Sequence, residues 1–148
     1  MESHRVTTVL SVAGIWIQYL TAASVVYLDP NNNTFPYTTI VLSWPGVLEE
    51  IHRVWALAIL VILVLNVFLI RKAKQQTRPL MLLALAVLGL FVLQASFGAI
   101  TIWNYDYPPY VIMHEGNAGL LLFVCSVLGA YVLAMPANAT SHTIRKTK

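Results

Sequence analysis

Charge is what this sequence has least of. Only 10% of its 148 residues are Asp, Glu, Lys or Arg, where a water-soluble domain carries about 25%. Hydrophobic residues make up 58%, with a mean hydropathy of +0.71. A soluble globule is thereby excluded, because apolar surface on this scale has to face lipid. Cysteine is nearly absent too. Cys125 stands alone inside an apolar run, so neither a disulfide within one chain nor a thiolate metal site can form; a buried, chemically quiet thiol is expected.

Long uncharged runs fill the chain instead. A transmembrane helix needs about 20 mostly apolar residues, and four runs qualify: Val6 to Leu28, Ile51 to Ile70, Pro79 to Trp103, and Val111 to Met135. They predict an all-α membrane protein, a single domain over residues 1–148 folded as an antiparallel four-helix transmembrane bundle. The first run is too long for a cleaved signal peptide and lacks a small-residue cleavage site, so it is expected to remain in the mature protein.

The net charge of +3 and pI near 9.2 could suggest nucleic acid, but the placement of the charges excludes it. Arg5, then Arg71, Lys72, Lys74 and Arg78, then Arg145, Lys146 and Lys148 all fall on one side of the predicted membrane. The connections Asp29 to Glu50 and Asn104 to Tyr110 hold Asp29, Glu49, Glu50 and Asp106, and only Arg53 breaks the pattern. The basic side is therefore read as cytoplasmic, with both termini on it and anionic lipid headgroups as its partner. Tyr27, Tyr37, Trp44, Trp103, Tyr105, Tyr107 and Tyr110 fit an aromatic belt at the outer boundary. Asn32-Asn33-Thr34 matches a glycosylation sequon there, a tripeptide common by chance. Asp29-Pro30 and Pro108-Pro109 read as turns or irregular segments. His4 and His142 read as solvated tail residues.

The two hairpins resemble each other. Helix 1 carries Gln18 and leads to a helix opening with His52 and then Ala56; helix 3 carries Gln94 and leads to one opening with His114 and then Ala118. Both run the same way across the membrane, as in parallel repeats. Each supplies one histidine at equivalent depth.

Ionisable groups within a span are rare because their desolvation is expensive. Here they are Glu49, Glu50, His52 and Arg53 near one helix end, and His114 with Glu115 near another. Helices 2 and 4 of an antiparallel bundle can face each other diagonally, and two facing imidazoles are what a low-spin haem iron takes axially. Ala56 and Ala118 lie one turn deeper on the same faces, with Gly116 and Gly119 nearby, and leave room for a flat macrocycle; Gly98 and Ala99 can do the same on helix 3. The other reading of the histidines is simple hydrogen bonding at the interface. Zinc would need carboxylates to complete its ligand set. Glu49 precedes His52 by one helical turn on the same face, so it would reach over a haem edge. Glu50 points elsewhere, solvated or paired. Arg53 suits a propionate, or an ion pair with Glu49, Glu50 or Glu115. Gln18 and Gln94 read as polar groups bonding across helices.

Glu49-Glu50-Ile51-His52-Arg53, taken as Glu-x-x-His-Arg at the outer end of a second helix, resembles the signature of the haem A synthase family. Gln94-Ala95-Ser96-Phe97-Gly98-Ala99-Ile100-Thr101-Ile102, followed by Pro108-Pro109, His114 and Ala118, is similar to that family's third-to-fourth helix segment. The resemblance implies oxidation of a haem O ring methyl to a formyl group, giving haem A for a terminal oxidase. It implies His52 and His114 as axial ligands of haem b, haem O or haem A, with Glu49 at the reacting methyl. It also implies a multi-pass protein of a prokaryotic plasma membrane with its haem site near the outer face, and a haem O-producing enzyme, a quinone or the oxidase as partners. Two departures stand out. Family members typically hold two four-helix halves, whereas this chain has one, which suggests a homodimer; many also carry an outer-loop cysteine pair, which is missing here. The competing function on the same ligands is a bis-histidine b-type membrane cytochrome that only transfers electrons. A third, should the histidines be incidental, is an assembly scaffold without haem.

Overall fold

A computed structural model of the chain describes residues 3–28, 44, 46–73, 77–104 and 106–136. They form four helices: α1 (Ser3–Leu28), α2 (Gly46–Lys72), α3 (Arg78–Trp103) and α4 (Pro108–Ala134). Each is long and apolar enough to cross a membrane, and the chain is an integral membrane protein. α1 packs on α2, α3 on α4, α1 on α4 and α2 on α3. That ring of neighbours leaves α2 and α4 diagonal, as the antiparallel bundle requires. The sequon, Asp29-Pro30, Tyr37, Lys74, Tyr105, His142 and the basic tail residues lie outside the described residues.

The helices form because each is an almost unbroken apolar run whose backbone groups have no partner in lipid except each other. Their buried stripe holds Ile59, Leu63, Ile70, Leu80, Val87, Leu128 and Val132. Leu57, Val54, Ile112, Phe123 and Leu133 stand on the outer surface, each more than 60% exposed, where lipid covers them. Arg5 ties the ends of α1 and α4 together, its Nη2 donating to the Met135 and Pro136 carbonyls at 2.6 and 2.8 Å; a cation suits the carbonyl end of a helix. Thr77 caps α3, its Oγ1 accepting from Leu80 N at 3.3 Å. Asp106 turns the chain from α3 to α4 with a positive φ of 54°, a conformation that Asp tolerates better than most residues.

The hairpin repeat extends along much of the buried register. Buried His4, Thr8, Ser11 and Ile15 of α1 occupy the places of buried Leu80, Ala84, Val87 and Phe91 of α3. Ile59, Leu63, Asn66 and Ile70 of α2 correspond to Leu121, Cys125, Leu128 and Val132 of α4. Cys125 is free and buried, as its surroundings in sequence imply. The halves differ in polarity at their basic end. In the first, Asn66 Oδ1 accepts from Thr7 and Thr8 hydroxyls at 2.9 and 3.0 Å; the second is apolar at the matching places.

Three sequence expectations need correction. His4 is not a solvated tail residue: α1 already begins at Ser3, and His4 is 5% exposed on its inner stripe. α2 starts at Gly46 instead of Ile51, so Glu49 and Glu50 are helical; a hydropathy window stops at charge, but a carboxylate in a first turn is favoured by the helix dipole. Pro108-Pro109 is likewise the first turn of α4 instead of an irregular segment, because a missing N–H does no harm there.

α1 meets α4 at Gly129, where an added Cβ would sit 2.9 Å from Val12 Cγ2. Valine is stiff at χ1 and cannot swing aside, so the glycine is what permits the contact. Gly129→Ala is expected to destabilise the bundle by about 1–3 kcal/mol through overpacking. Thermal unfolding in detergent checks this; an unchanged melting temperature would mean the interface yields freely.

Candidate functional site

The residues singled out by sequence gather at the end of the bundle away from Arg5, Arg71 and Arg78. His52 projects from α2 and His114 from α4. They stand on the two diagonal helices of the bundle. Each is backed by a glutamine from the partner helix of its own hairpin. Gln18 Nε2 lies 3.1 Å from His52 Nδ1, 3.0 Å from its Nε2 and 3.1 Å from its backbone oxygen. Gln94 Nε2 lies 3.2 Å from each nitrogen of His114. The repeat continues one turn deeper: Trp55 Nε1 donates to Gly14 O at 3.0 Å, and Asn117 Nδ2 donates to Leu90 O at 3.1 Å. Sequence reasoning found the histidines and glutamines but assigned the glutamines only a structural bond. It missed Trp55 and Asn117, whose signal was their equal spacing, one turn beyond each histidine.

The halves then diverge. Thr21 Oγ1 stands 3.1 Å from His52 Nδ1, and the matching residue of α3 is Phe97. Asn117 Nδ2 also donates to Gln94 Oε1 at 2.6 Å, where the first hairpin has Trp55. Glu49 has Val111 as its counterpart, and Arg53 has Glu115.

Glu49 is 6% exposed, one turn before His52 on α2. Arg53 donates through Nη2 to Glu49 Oε1 in a short contact and through Nη1 to Glu50 Oε1 at 3.1 Å. Arg53 is thus ion-paired with both carboxylates of its own helix. Glu115 is exposed. Among the described residues no group of three or more His, Cys, Asp and Glu forms a site for a lone metal ion.

A family model described as cytochrome oxidase assembly protein (COX15-CtaA) matches residues 3–126. The chain belongs to the haem A synthase family. No curated protein and no solved structure matches it. Its role therefore lies in cytochrome oxidase assembly, within a membrane, through chemistry related to haem.

The residues present fit a haem. The donor set is two imidazoles and no thiolate. On α3, Gly98 has no side chain where a Cβ would come within 3.1 Å of His114 Cε1, so the histidine ring lies directly over backbone. Gln18 Oε1 and Thr101 Oγ1 are buried without a hydrogen-bond partner among the described residues, and buried polar atoms left in that state call for one. Sequence gave no reason to single out Thr101, one turn beyond Gly98 on an apolar helix.

Proposed function

We propose that the chain holds haem between His52 and His114 and oxidises a haem O ring methyl to the formyl group of haem A, for delivery to a terminal oxidase. The observation that supports this best is the asymmetry imposed on a matched pair. The ligands and their glutamines repeat in both hairpins, while the buried carboxylate, Glu49, occurs in one, opposite Val111 in the other. An electron carrier needs the pair but has no need of that carboxylate, so the cytochrome reading accounts for less of the site.

When bound, the haem would supply a macrocycle that spreads charge or spin from its ring methyl; conversion of that methyl to a formyl group with oxygen from water releases four electrons and four protons, which an acceptor such as a quinone would take up. The chain's own part is to position and stabilise. His52 and His114 would hold the haem, and Gln18 and Gln94 orient their imidazoles. Glu49 would supply negative charge where positive charge develops, in a water-poor setting that strengthens the attraction. Arg53 is the cation at hand for a propionate, with Glu50 the contact it gives up most easily. On this reading the basic end faces the cytoplasm together with both termini, the haem site lies near the outer face of a prokaryotic plasma membrane, and two copies pair as a homodimer. A haem O-producing enzyme hands over the substrate, and a quinone or the oxidase takes up electrons or product.

The test is chemical. Full-length protein produced with a supply of haem O is purified, and its pigment is extracted and weighed by mass spectrometry. Haem A beside haem O is the expected result. Protein without haem, or haem O that stays unconverted through turnover, overturns the proposal.

A further inference from the structure

The Thr21 hydroxyl lies 2.9 Å from the Gln18 backbone oxygen and 3.1 Å from His52 Nδ1. A carbonyl oxygen only accepts, so the single hydroxyl proton goes to Gln18 O, and the hydroxyl oxygen accepts from Nδ1–H. With the proton on Nδ1, Nε2 of a neutral imidazole keeps its lone pair. The Gln18 amide nitrogen faces the His52 backbone oxygen at 3.1 Å and stands 3.1 and 3.0 Å from the two ring nitrogens, so it favours neither. Thr21 alone decides the tautomer.

Nothing decides the tautomer of His114. Asn117 has to present its amide nitrogen to Leu90 O, and the same nitrogen donates to Gln94 Oε1. Gln94 must then turn its own nitrogen to the ring, where it stands 3.2 Å from both ring nitrogens. A donor in that place satisfies whichever ring nitrogen is bare and offers no acceptor to the one that carries the proton. The residue that could have supplied an acceptor is Phe97.

We propose that Thr21 is a positioning residue that locks His52 in the Nδ1–H tautomer, making His52 the firm axial ligand of the haem iron and His114 the exchangeable one. This rests on the haem-binding reading above. An acceptor behind a ligating histidine orients the ring and raises its basicity. A ligand facing only an amide N–H has neither advantage, so its side of the iron is the one that opens to a small molecule. The two ligands are alike in sequence and unlike in function.

Four variants of the full-length protein, Thr21→Val, Thr21→Ser, His114→Ala and His52→Ala, test this, each titrated with haem and read by absorbance, with carbon monoxide added to the reduced form. Thr21→Val, which keeps the shape and removes the hydroxyl, is expected to weaken haem binding about 10- to 100-fold. Thr21→Ser keeps the hydroxyl and is expected to stay close to the unaltered protein. His114→Ala is expected to retain haem in a five-coordinate form that binds carbon monoxide, where the unaltered protein is six-coordinate and low-spin. The proposal is overturned if Thr21→Val titrates like the unaltered protein, if Thr21→Ser falls as far as Thr21→Val, or if His114→Ala loses haem as completely as His52→Ala. Should the unaltered protein bind no haem, the functional proposal falls with it; should it bind haem while Thr21→Val matches it, only the role of Thr21 falls.

Discussion

Glu49→Gln is expected to keep its haem and to form haem A about 100- to 1000-fold more slowly, the loss seen when one preorganised electrostatic group is removed from an active site. Glutamine keeps the shape of the side chain and removes only its charge. The change strips one carboxylate from Arg53, but Glu50 remains at 3.1 Å, so the guanidinium is not abandoned in a buried place, and the heavy penalty for a broken buried pair is avoided. The pairing of a retained pigment with lost conversion is what separates this role from a structural one. Single-turnover conversion of bound haem O, followed by mass analysis of extracted pigment, measures it. Undiminished haem A from Glu49→Gln would remove this carboxylate from the chemistry.

His52→Ala is expected to yield protein that is nearly colourless. The substitution deletes the better-supported of the two ligands and empties the space its ring filled. Gln18 and Thr21 keep their backbone partners, so haem-free protein should melt only slightly earlier than unaltered protein. The ratio of haem to protein after purification is the decisive reading. A full complement of low-spin haem in His52→Ala would exclude this histidine as a ligand.

Much of this architecture could be read directly from the chain. Lipid imposes so strong a demand on backbone hydrogen bonds that four apolar runs translate into four helices, and short connections force neighbours to run antiparallel. The equivalent placing of His52 and His114 was legible for the same reason: both open the second helix of a hairpin, and depth follows from position in the run. What escaped was anything decided by the neighbouring helix. Thr21 is an unremarkable hydroxyl on an apolar span until α2 brings His52 against it. His4 belongs by its charge and position to a tail, and only the packing of the first turn of α1 buries it. The start of α2 was misjudged because hydropathy counts Glu49 and Glu50 as the end of a span, when the helix simply continues into the headgroup region.

The polar stripe on α1 bears on how the protein comes to be inserted. α1 has the lowest mean hydropathy of the four spans, 1.4 against 2.6, 2.4 and 2.0 for α2, α3 and α4. Thr7 and Thr8 reach across to Asn66, a residue of a span synthesised after α1 has already met the bilayer. α1 is thus the span least suited to lipid on its own, and it is expected to enter the membrane as one hairpin with α2.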